Sequence, residues 1–303
     1  MARIISELRN RFLSENMVGK FIYVNVGVYV LFAFIDVVAT LFNIKSPAIY
    51  LKLWLELPSS LPQFILQPWS ILTYMFLHGG LMHLLWNMIA LYWFGKIFLS
   101  FFSARHFVGV YLLGGIVGGL FFMLAYNIFP FFSSSVAYAG LVGASAAVLA
   151  VVTAAAYRVP DYRINLLFIG EITLKTFAIA TIVISILLTT SDNAGGSFAH
   201  LGGAFAGYLF AYYLNKGRDL TFYINKAVDA IAGLCNRLFN KAKTPKMKIF
   251  KGKHADDYEY NSREKKRSGN VDAILEKVKK YGYSSLTEDE KKQLFDASNR
   301  GGA

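Results

Sequence analysis

The sequence predicts an all-α protein that crosses a membrane several times. Of its 303 residues, 55% are hydrophobic and only 17% are charged, a composition far too apolar for an ordinary soluble domain. The apolar residues gather into runs that approach the roughly 20 helical residues needed to cross a hydrocarbon core. Six such runs are predicted to span: Phe21–Phe42, Leu81–Phe102, Phe107–Phe129, Val136–Tyr157, Thr176–Thr190 and Phe198–Leu214.

Charge is unevenly distributed along the chain. Residues 1–215 hold 11 Lys or Arg and 7 Asp or Glu, whereas residues 216–303 hold 20 and 12. Nucleic acid would account for a basic tail, but the tail holds no nucleic-acid-binding motif of the usual kinds, and we favour a position beside anionic lipid. The single cysteine, Cys235, excludes an intrachain disulfide and a cysteine-rich metal site.

The same patterns divide the chain into four predicted segments: a polar cytoplasmic N-terminal segment (1–20), a six-span domain (21–215), an amphipathic and basic linker (216–270) and a small helical tail (271–303). The first segment is too polar to be a cleavable signal peptide. Apolar residues recur at helical spacing from Ile224 to Leu238, which predicts an amphipathic surface helix. The basic run from Lys241 to Lys253 is either a lipid contact or a soluble linker.

Two short helices, Val271–Lys280 and Thr287–Ala297, are expected at the end of the chain. Thr287 and Glu290 have the spacing of a capping box at the start of the second helix. Gly282 follows the first helix, where glycine commonly ends a helix.

Basic residues indicate the direction of the spans. They lie before the first span, at the join of the second and third, after the fourth and in the tail, so the positive-inside rule places both termini in the cytoplasm. The outer side receives a long first loop, Asn43 to Leu77, with four prolines and many aromatic residues. This loop is expected to lie partly in the outer interface, and Ile164–Lys175 is also expected at an interface.

Four polar side chains are predicted to meet in the outer half of the membrane. The second, fourth and sixth spans all enter from the outer side, and they carry His83 with Asn87, Ser145, and His200. His83 and Asn87 are four residues apart and share one helix face. Each residue alone has a plain structural explanation, such as helix packing for Ser145. Together they are expected to bond to one another or line a wet cavity, because an unpartnered polar group is costly in hydrocarbon.

A serine beside a histidine indicates nucleophilic catalysis. Serine is a poor nucleophile until a base removes its proton, and neutral histidine does this near pH 7; the other histidine and the asparagine suit a developing oxyanion. No acidic residue lies at matching depth, so a Ser–His dyad is predicted rather than a triad. The alternative, a metal held by His83 and His200, is disfavoured because no third Asp, Glu or Cys joins them. We expect no metal and no cofactor.

Four motifs occur in one order along the chain: Trp69 to His78 followed by Gly79-Gly80, His83-x-x-x-Asn87, Gly143-x-Ser145, and Ala199-His200-x-x-Gly203-x-x-x-Gly207. With these motifs, residues 15–215 resemble the rhomboid intramembrane serine proteases. The resemblance implies a six-helix membrane bundle of the bacterial type. The stretch from Ile274 to Ala297 is similar to the small helical tail of some bacterial members.

The resemblance implies roles for individual residues. Ser145 would be the nucleophile and His200 the general base, while His83 and Asn87 would assist the Ser145 N–H in holding the oxyanion. Structural support is implied for Gly143, Gly203, Gly207, Trp69 and for His78, whose side chain would tie down the first loop by hydrogen bonding.

Two positions depart from the family pattern. Ser70 follows Trp69, where the family often has arginine, and Leu149 stands where some members place a tyrosine that stacks on the histidine. The small-xxx-small spacing of Gly203 and Gly207 independently favours a close approach of the sixth helix to the fourth.

The sequence supports an intramembrane endopeptidase that cleaves transmembrane segments of other proteins near their outer ends. Its partners would be such substrates and the bilayer, in the cell (inner) membrane, with the site opening outward and no nucleic acid. The alternative is a catalytically silent relative that binds membrane helices, and such relatives typically lack the serine or the histidine. A transporter is disfavoured because no inverted repeat is evident. Asp36, near the outer end of the first span, is expected to reach water.

Overall fold

The computed structural model describes residue 7 and residues 10–166, 170–191, 193–239 and 270–298. The chain divides into two compact units, Met1–Leu238 and Phe239–Ala303. In chain order, the α-helices and strands described between Met17 and Phe239 are α1 (Met17–Leu41), α2 (Pro47–Leu55), β1 (Leu57–Pro58), α3 (Leu61–Leu66), α4 (Ser70–Thr73), α5 (Leu81–Phe101), α6 (Ala104–Ile128), β2 (Gly140–Leu141), α7 (Ser145–Arg158), β3 (Arg163–Leu166), β4 (Gly170–Thr173), α8 (Leu174–Leu187), α9 (Ala194–Asn215) and α10 (Phe222–Phe239).

Three of these helices, α1, α5 and α6, are long and apolar enough to cross a membrane, and α7 and α8 are shorter apolar helices of 14 residues each. These five helices and α9 lie on the six predicted spans. The prediction that the fourth span begins at Val136 is wrong, because the helix begins at Ser145. Gly140 and Leu141 pair with the first loop instead, and Gly143 has a φ of 127°, which no right-handed helix accommodates.

Two short antiparallel pairs make the fold mostly helical rather than all-α. Leu57 and Pro58 pair with Leu141 and Gly140, which joins the first loop to the segment before α7. The strands β3 and β4 form a hairpin within the stretch expected at a membrane interface. An ion pair between Arg163 and Glu171 (3.1 Å) crosses this hairpin.

The centre of the bundle is α7. Every residue from Ala146 to Ala156 is buried, and α7 packs against α5, α6, α8 and α9. Most of these residues are alanine or valine, which are small enough for neighbouring backbones to come close. The position of Ser145, the first residue of this helix, is therefore fixed by packing on several sides.

The first loop is fastened to the bundle by side-chain hydrogen bonds. Trp69 stacks on Trp54 with ring centroids 5.5 Å apart and donates from Nε1 to the Trp54 carbonyl (2.8 Å). Ser59 donates to the Val136 carbonyl (2.9 Å). Asp36 pairs with Lys52 (2.7 Å), so it joins the loop to α1 at a position about one third exposed. These contacts hold the loop without the arginine that often follows Trp69 in the family.

On α10, the apolar residues Ile231 and Leu234 are exposed, as expected for an amphipathic helix, and Arg105 on α6 pairs with Asp229 (2.6 Å). The basic run predicted at Lys241–Lys253 lies outside the described residues.

In the part of the second unit that the structure describes, the helices are α11 (residues 270–281) and α12 (Glu288–Ser298). The predicted capping box is present, because the Thr287 N–H donates to Glu290 Oε2 (2.8 Å) and the Glu290 N–H donates to Thr287 Oγ1 (3.4 Å). Gly282 follows α11 with a φ of 81°. The Lys277 ammonium bonds to Glu290 (2.9 Å) and holds the pKa of that carboxyl below its ordinary value.

Candidate active site

Ser145 stands at an uncapped helix end. The Gly143 N–H donates to the Tyr74 carbonyl (3.0 Å), and the positive φ of Gly143 turns the chain into α7. The N-cap residue is Ala144, whose side chain cannot accept a hydrogen bond. The N–H groups of the first turn therefore have no intrahelical partner and carry the positive end of the helix dipole. Ser145 is half-buried.

His83 on α5 lies directly against this turn. A methyl group at Gly143 would come within 2.7 Å of Cε1 and 2.8 Å of Nε2 of the His83 ring. The other ring nitrogen, Nδ1, accepts from the Gly79 N–H (3.4 Å). Since a neutral imidazole has one donor and one acceptor nitrogen, this bond assigns the proton to Nε2. Nε2–H thus faces the Gly143–Ser145 turn as a donor.

Asn87 lies one helical turn after His83 and is buried. Its Nδ2 donates to the His83 carbonyl (2.8 Å), which uses one of its two amide hydrogens. The sequence prediction that both side chains share one face of α5 agrees with this contact. His83, rather than Asn87, makes the close approach to the turn.

The helix α9 comes very close to α7 at two glycines. A methyl group at Gly203 would overlap the Ala146 carbonyl, and one at Gly207 would overlap the Ala150 carbonyl. Only glycine permits this approach of two backbones. His200 precedes Gly203 by one turn, and Ser145 directly precedes Ala146, so the contact carries both residues to the same region.

Ser145 and His200 are not hydrogen-bonded in this structure. Among the described residues, Ser145 Oγ has no hydrogen-bond partner; His200 Nδ1 lies 3.3 Å from Ser185 Oγ on α8. Catalytic hydrogen bonds are often long before substrate binds. The contact with Ser185 was missed by sequence reasoning, because Ser185 is a lone serine in an apolar run and nothing in its spacing points to His200.

A cavity of about 310 Å³ opens beside His83, and the segment Gly140–Val142 forms one of its walls. On the other side it is bounded by Tyr126, Asn193, Gly195 and Gly196, at the end of α6 and the start of α9. These four residues were not singled out from the sequence. The cavity gives the turn before Ser145 an opening large enough for several water molecules.

His78 differs from expectation. Its side chain is buried, and neither ring nitrogen has a hydrogen-bond partner among the described residues, so the predicted hydrogen bond to the first loop is absent. The ring packs edge-on against His83 with centroids 5.2 Å apart. His78 therefore supports the position of His83 by packing.

Metal binding was the alternative use of His83 and His200. In the described parts of the chain, no group of three His, Cys, Asp or Glu side chains comes together as a metal site would require. The polar contacts of the two histidines are the Gly79 N–H and the Asn87 amide for His83 and the Ser185 hydroxyl for His200.

Comparison with known proteins gives two family matches. The rhomboid domain matches residues 66–217, half of the chain. A family of unknown function (DUF6576) matches residues 256–300, which include α11 and α12.

Several curated relatives are similar to parts of the chain. Inactive RHOMBOID-like protein 8 of Arabidopsis thaliana is 39% identical over 82 residues, which is 27% of this chain and 23% of that protein. Rhomboid protein 1, mitochondrial, of Saccharomyces cerevisiae is 30% identical over 156 residues, 48% of this chain and 42% of that protein. Rhomboid-like protease 3 of Toxoplasma gondii is 25% identical over 172 residues, 56% and 60% respectively. The chain spans less than two thirds of each of these relatives.

The match covers the helices α5 to α9 and with them His83, Ser145 and His200. The mostly helical fold, with several apolar helices, agrees with a polytopic helical protein that is integral to a membrane. This chain belongs to the rhomboid family.

Proposed function

We propose that this protein is an intramembrane serine endopeptidase that cleaves transmembrane segments of other membrane proteins. The observation that carries the proposal is the glycine-mediated contact of α9 with α7, which carries His200 and Ser145 to one region. The polar groups around this region all have a use in acyl transfer. Among the similar proteins, one is named a protease and another is named inactive, so the family includes both kinds of member.

In the first half of the reaction, Ser145 Oγ attacks the scissile carbonyl while His200 Nε2 takes the hydroxyl proton. The carbonyl oxygen becomes an oxyanion, held by the Ser145 N–H at the uncapped start of α7 and by His83 Nε2–H. The second amide hydrogen of Asn87 donates to the same oxyanion. His200 then gives its proton to the leaving amine, and the C–N bond breaks.

In the second half, a water molecule enters through the cavity beside His83. His200 takes a proton from this water, which attacks the acyl-enzyme ester, and the oxyanion forms again in the same place. Collapse of the intermediate returns the proton to Ser145 Oγ and releases the new carboxylate. No metal or cofactor is needed for either half.

The substrate helix must unwind locally before cleavage, because its backbone carbonyls are hydrogen-bonded within the helix. We therefore expect cleavage near glycine or other helix-weakening residues. The proposal also includes six membrane spans, two cytoplasmic termini and a site that opens to the outer side of the cell membrane. The spans rest on the apolar runs of the sequence, and the orientation rests on the distribution of basic residues.

The test uses the full chain purified in detergent, a set of model transmembrane substrates and a serine-reactive fluorophosphonate probe. We expect cleavage and labelling by the unmodified protein, and losses of at least about 10³-fold in Ser145→Ala and His200→Ala. Ser100→Ala and His106→Ala are the matched controls, since these residues lie on α5 and α6 away from the turn. They should retain activity.

Two results would contradict the proposal. If the unmodified protein neither cleaves any substrate nor takes the label, the second candidate, a silent helix-binding member, is favoured instead. The stretch similar to the inactive relative gives that candidate its support. If Ser145→Ala still cleaves, the assignment of the nucleophile is wrong.

A further inference from the structure

We propose that Ser185 on α8 is a positioning residue for His200, holding the ring so that Nε2 faces Ser145. The inference rests on the proposed protease function. It supplies an orienting group in a chain where Leu149 stands in place of the ring-stacking tyrosine of some family members.

The contact joins the buried side chain of Ser185 to the half-buried side chain of His200 on a different helix. Ser185 is 3% exposed, and its Oγ lies 3.3 Å from His200 Nδ1 and 2.8 Å from the Thr181 carbonyl. A hydroxyl has one proton, and the short bond to the Thr181 carbonyl uses it. Ser185 Oγ can then only accept from His200, which means that Nδ1 carries the imidazole hydrogen.

This assignment of the proton has a direct chemical consequence. Neutral histidine exists as two tautomers, and only the one protonated at Nδ1 presents a lone pair at Nε2. A base needs that lone pair to receive the serine proton. The bond to Ser185 therefore selects the competent tautomer and also fixes the rotation of the ring.

The same bond becomes stronger during the reaction. When His200 takes a proton it becomes an imidazolium, and a hydrogen bond from a charged donor is about twice as strong as a neutral one. Ser185 thus favours the charged intermediate over the resting state. Ser185 lies near the end of α8 and His200 near the start of α9, so few residues separate the two along the chain.

The experiment compares Ser185→Ala, Ser185→Thr and Ser197→Ala in the full chain. Threonine keeps a hydroxyl that can bond to the Thr181 carbonyl, whereas Ser197→Ala removes a hydroxyl from an equally buried serine (4% exposed) that donates to the Leu188 carbonyl (3.1 Å) and not to His200. We expect Ser185→Ala to lower kcat and the rate of fluorophosphonate labelling about tenfold with KM unchanged. Ser185→Thr should restore most of the rate, and Ser197→Ala should stay within about twofold.

A second measurement does not depend on catalysis. In ¹⁵N NMR of histidine-labelled protein, with the His200 signals identified from a His200→Gln variant, Nδ1 should be the protonated nitrogen and should lose this preference in Ser185→Ala. Unchanged kcat in Ser185→Ala, or equal losses in Ser185→Ala and Ser197→Ala, would overturn the proposal. If Nδ1 is protonated through Ser185 but Ser145 is never labelled, the contact exists and the proposed protease function is what fails.

Discussion

The helices α7 and α8 are both 14 residues long and apolar, yet they are built in opposite ways. All residues of α7 from Ala146 to Ala156 are buried, and most of them are small. In α8, all of which the structure describes, the buried residues are Leu174, Ala178 and Ser185, while large residues such as Ile184 and Leu187 are exposed. In a membrane, large apolar side chains can face lipid at no cost, and small ones are needed where backbones approach.

The two helices also begin differently. Thr173 caps α8 by accepting from the Thr176 N–H (3.2 Å), whereas Ala144 leaves the start of α7 uncapped. The first N–H groups of the helix that carries the candidate nucleophile are therefore free for the proposed oxyanion. The helix that carries the proposed positioning residue uses its own cap for stability. Precise placement is achieved by packing in α7 and by one hydrogen bond in α8.

Replacing an alanine by leucine should have the largest effect in α7 and none in α8. Ala150 is fully buried between the α6 and α9 glycines, so Ala150→Leu has no space, and overpacking of this kind costs about 1–3 kcal/mol or more. We expect cleavage to fall below detection and the midpoint of thermal unfolding in detergent to drop by several degrees. Ala180→Leu, at an exposed position of α8, should change neither the cleavage rate nor the unfolding midpoint. An equal loss in this variant would contradict the proposed difference in packing between α7 and α8.

The contact between α9 and α7 should break with one methyl group. Gly203→Ala must push the helices apart at the Ala146 carbonyl, and a displacement of about 1 Å near the chemistry costs about 100-fold in rate. The measurement is kcat with a model substrate. Gly27→Ala on α1, where nothing lies within 4 Å, is the control and should be as active as the unmodified protein.

The turn before Ser145 should be sensitive to both strain and crowding. Gly143→Ala forces a residue with a side chain to a φ of 127° and against the His83 ring. We expect about a tenfold loss of kcat, since His83 must move from its place as a donor. Gly217→Ala has a positive φ of 76° but open space, so it should cost about 1 kcal/mol in stability and leave kcat unchanged.

The smallest effect is expected at the cap of α8. Thr173→Ala removes the acceptor for the Thr176 N–H and should cost about 1 kcal/mol of unfolding free energy. Because Ser185 lies at the far end of the same helix, kcat should fall less than about threefold. A larger loss of kcat, with an unchanged unfolding midpoint, would mean that the start of α8 takes part in the site directly.

Local patterns were sufficient for most of the helices. Long apolar runs marked α1, α5 and α6 within a few residues, and the Thr287–Glu290 spacing marked the start of α12, because hydropathy and capping act over a few neighbouring residues. The start of α7 was misjudged by nine residues. The run from Val136 is apolar, but Gly140 and Leu141 within it pair with Leu57 and Pro58, some 80 residues earlier, and form a strand instead of the start of the helix.

By itself, the sequence determined that the chain is a membrane protein with serine, histidine and asparagine at a few motif positions, since hydropathy and residue spacing are properties of the linear chain. The spacing of Gly203 and Gly207 also predicted the close approach of α9 to α7. The tertiary structure alone decided that the His83 ring lies on Gly143, that the His78 ring packs against His83, and that Ser185 contacts His200. The reason is physical: a hydrogen bond of 3.3 Å between two helices depends on rotamers, on helix rotation and on backbone separation. None of these is encoded in the spacing of residues along either helix.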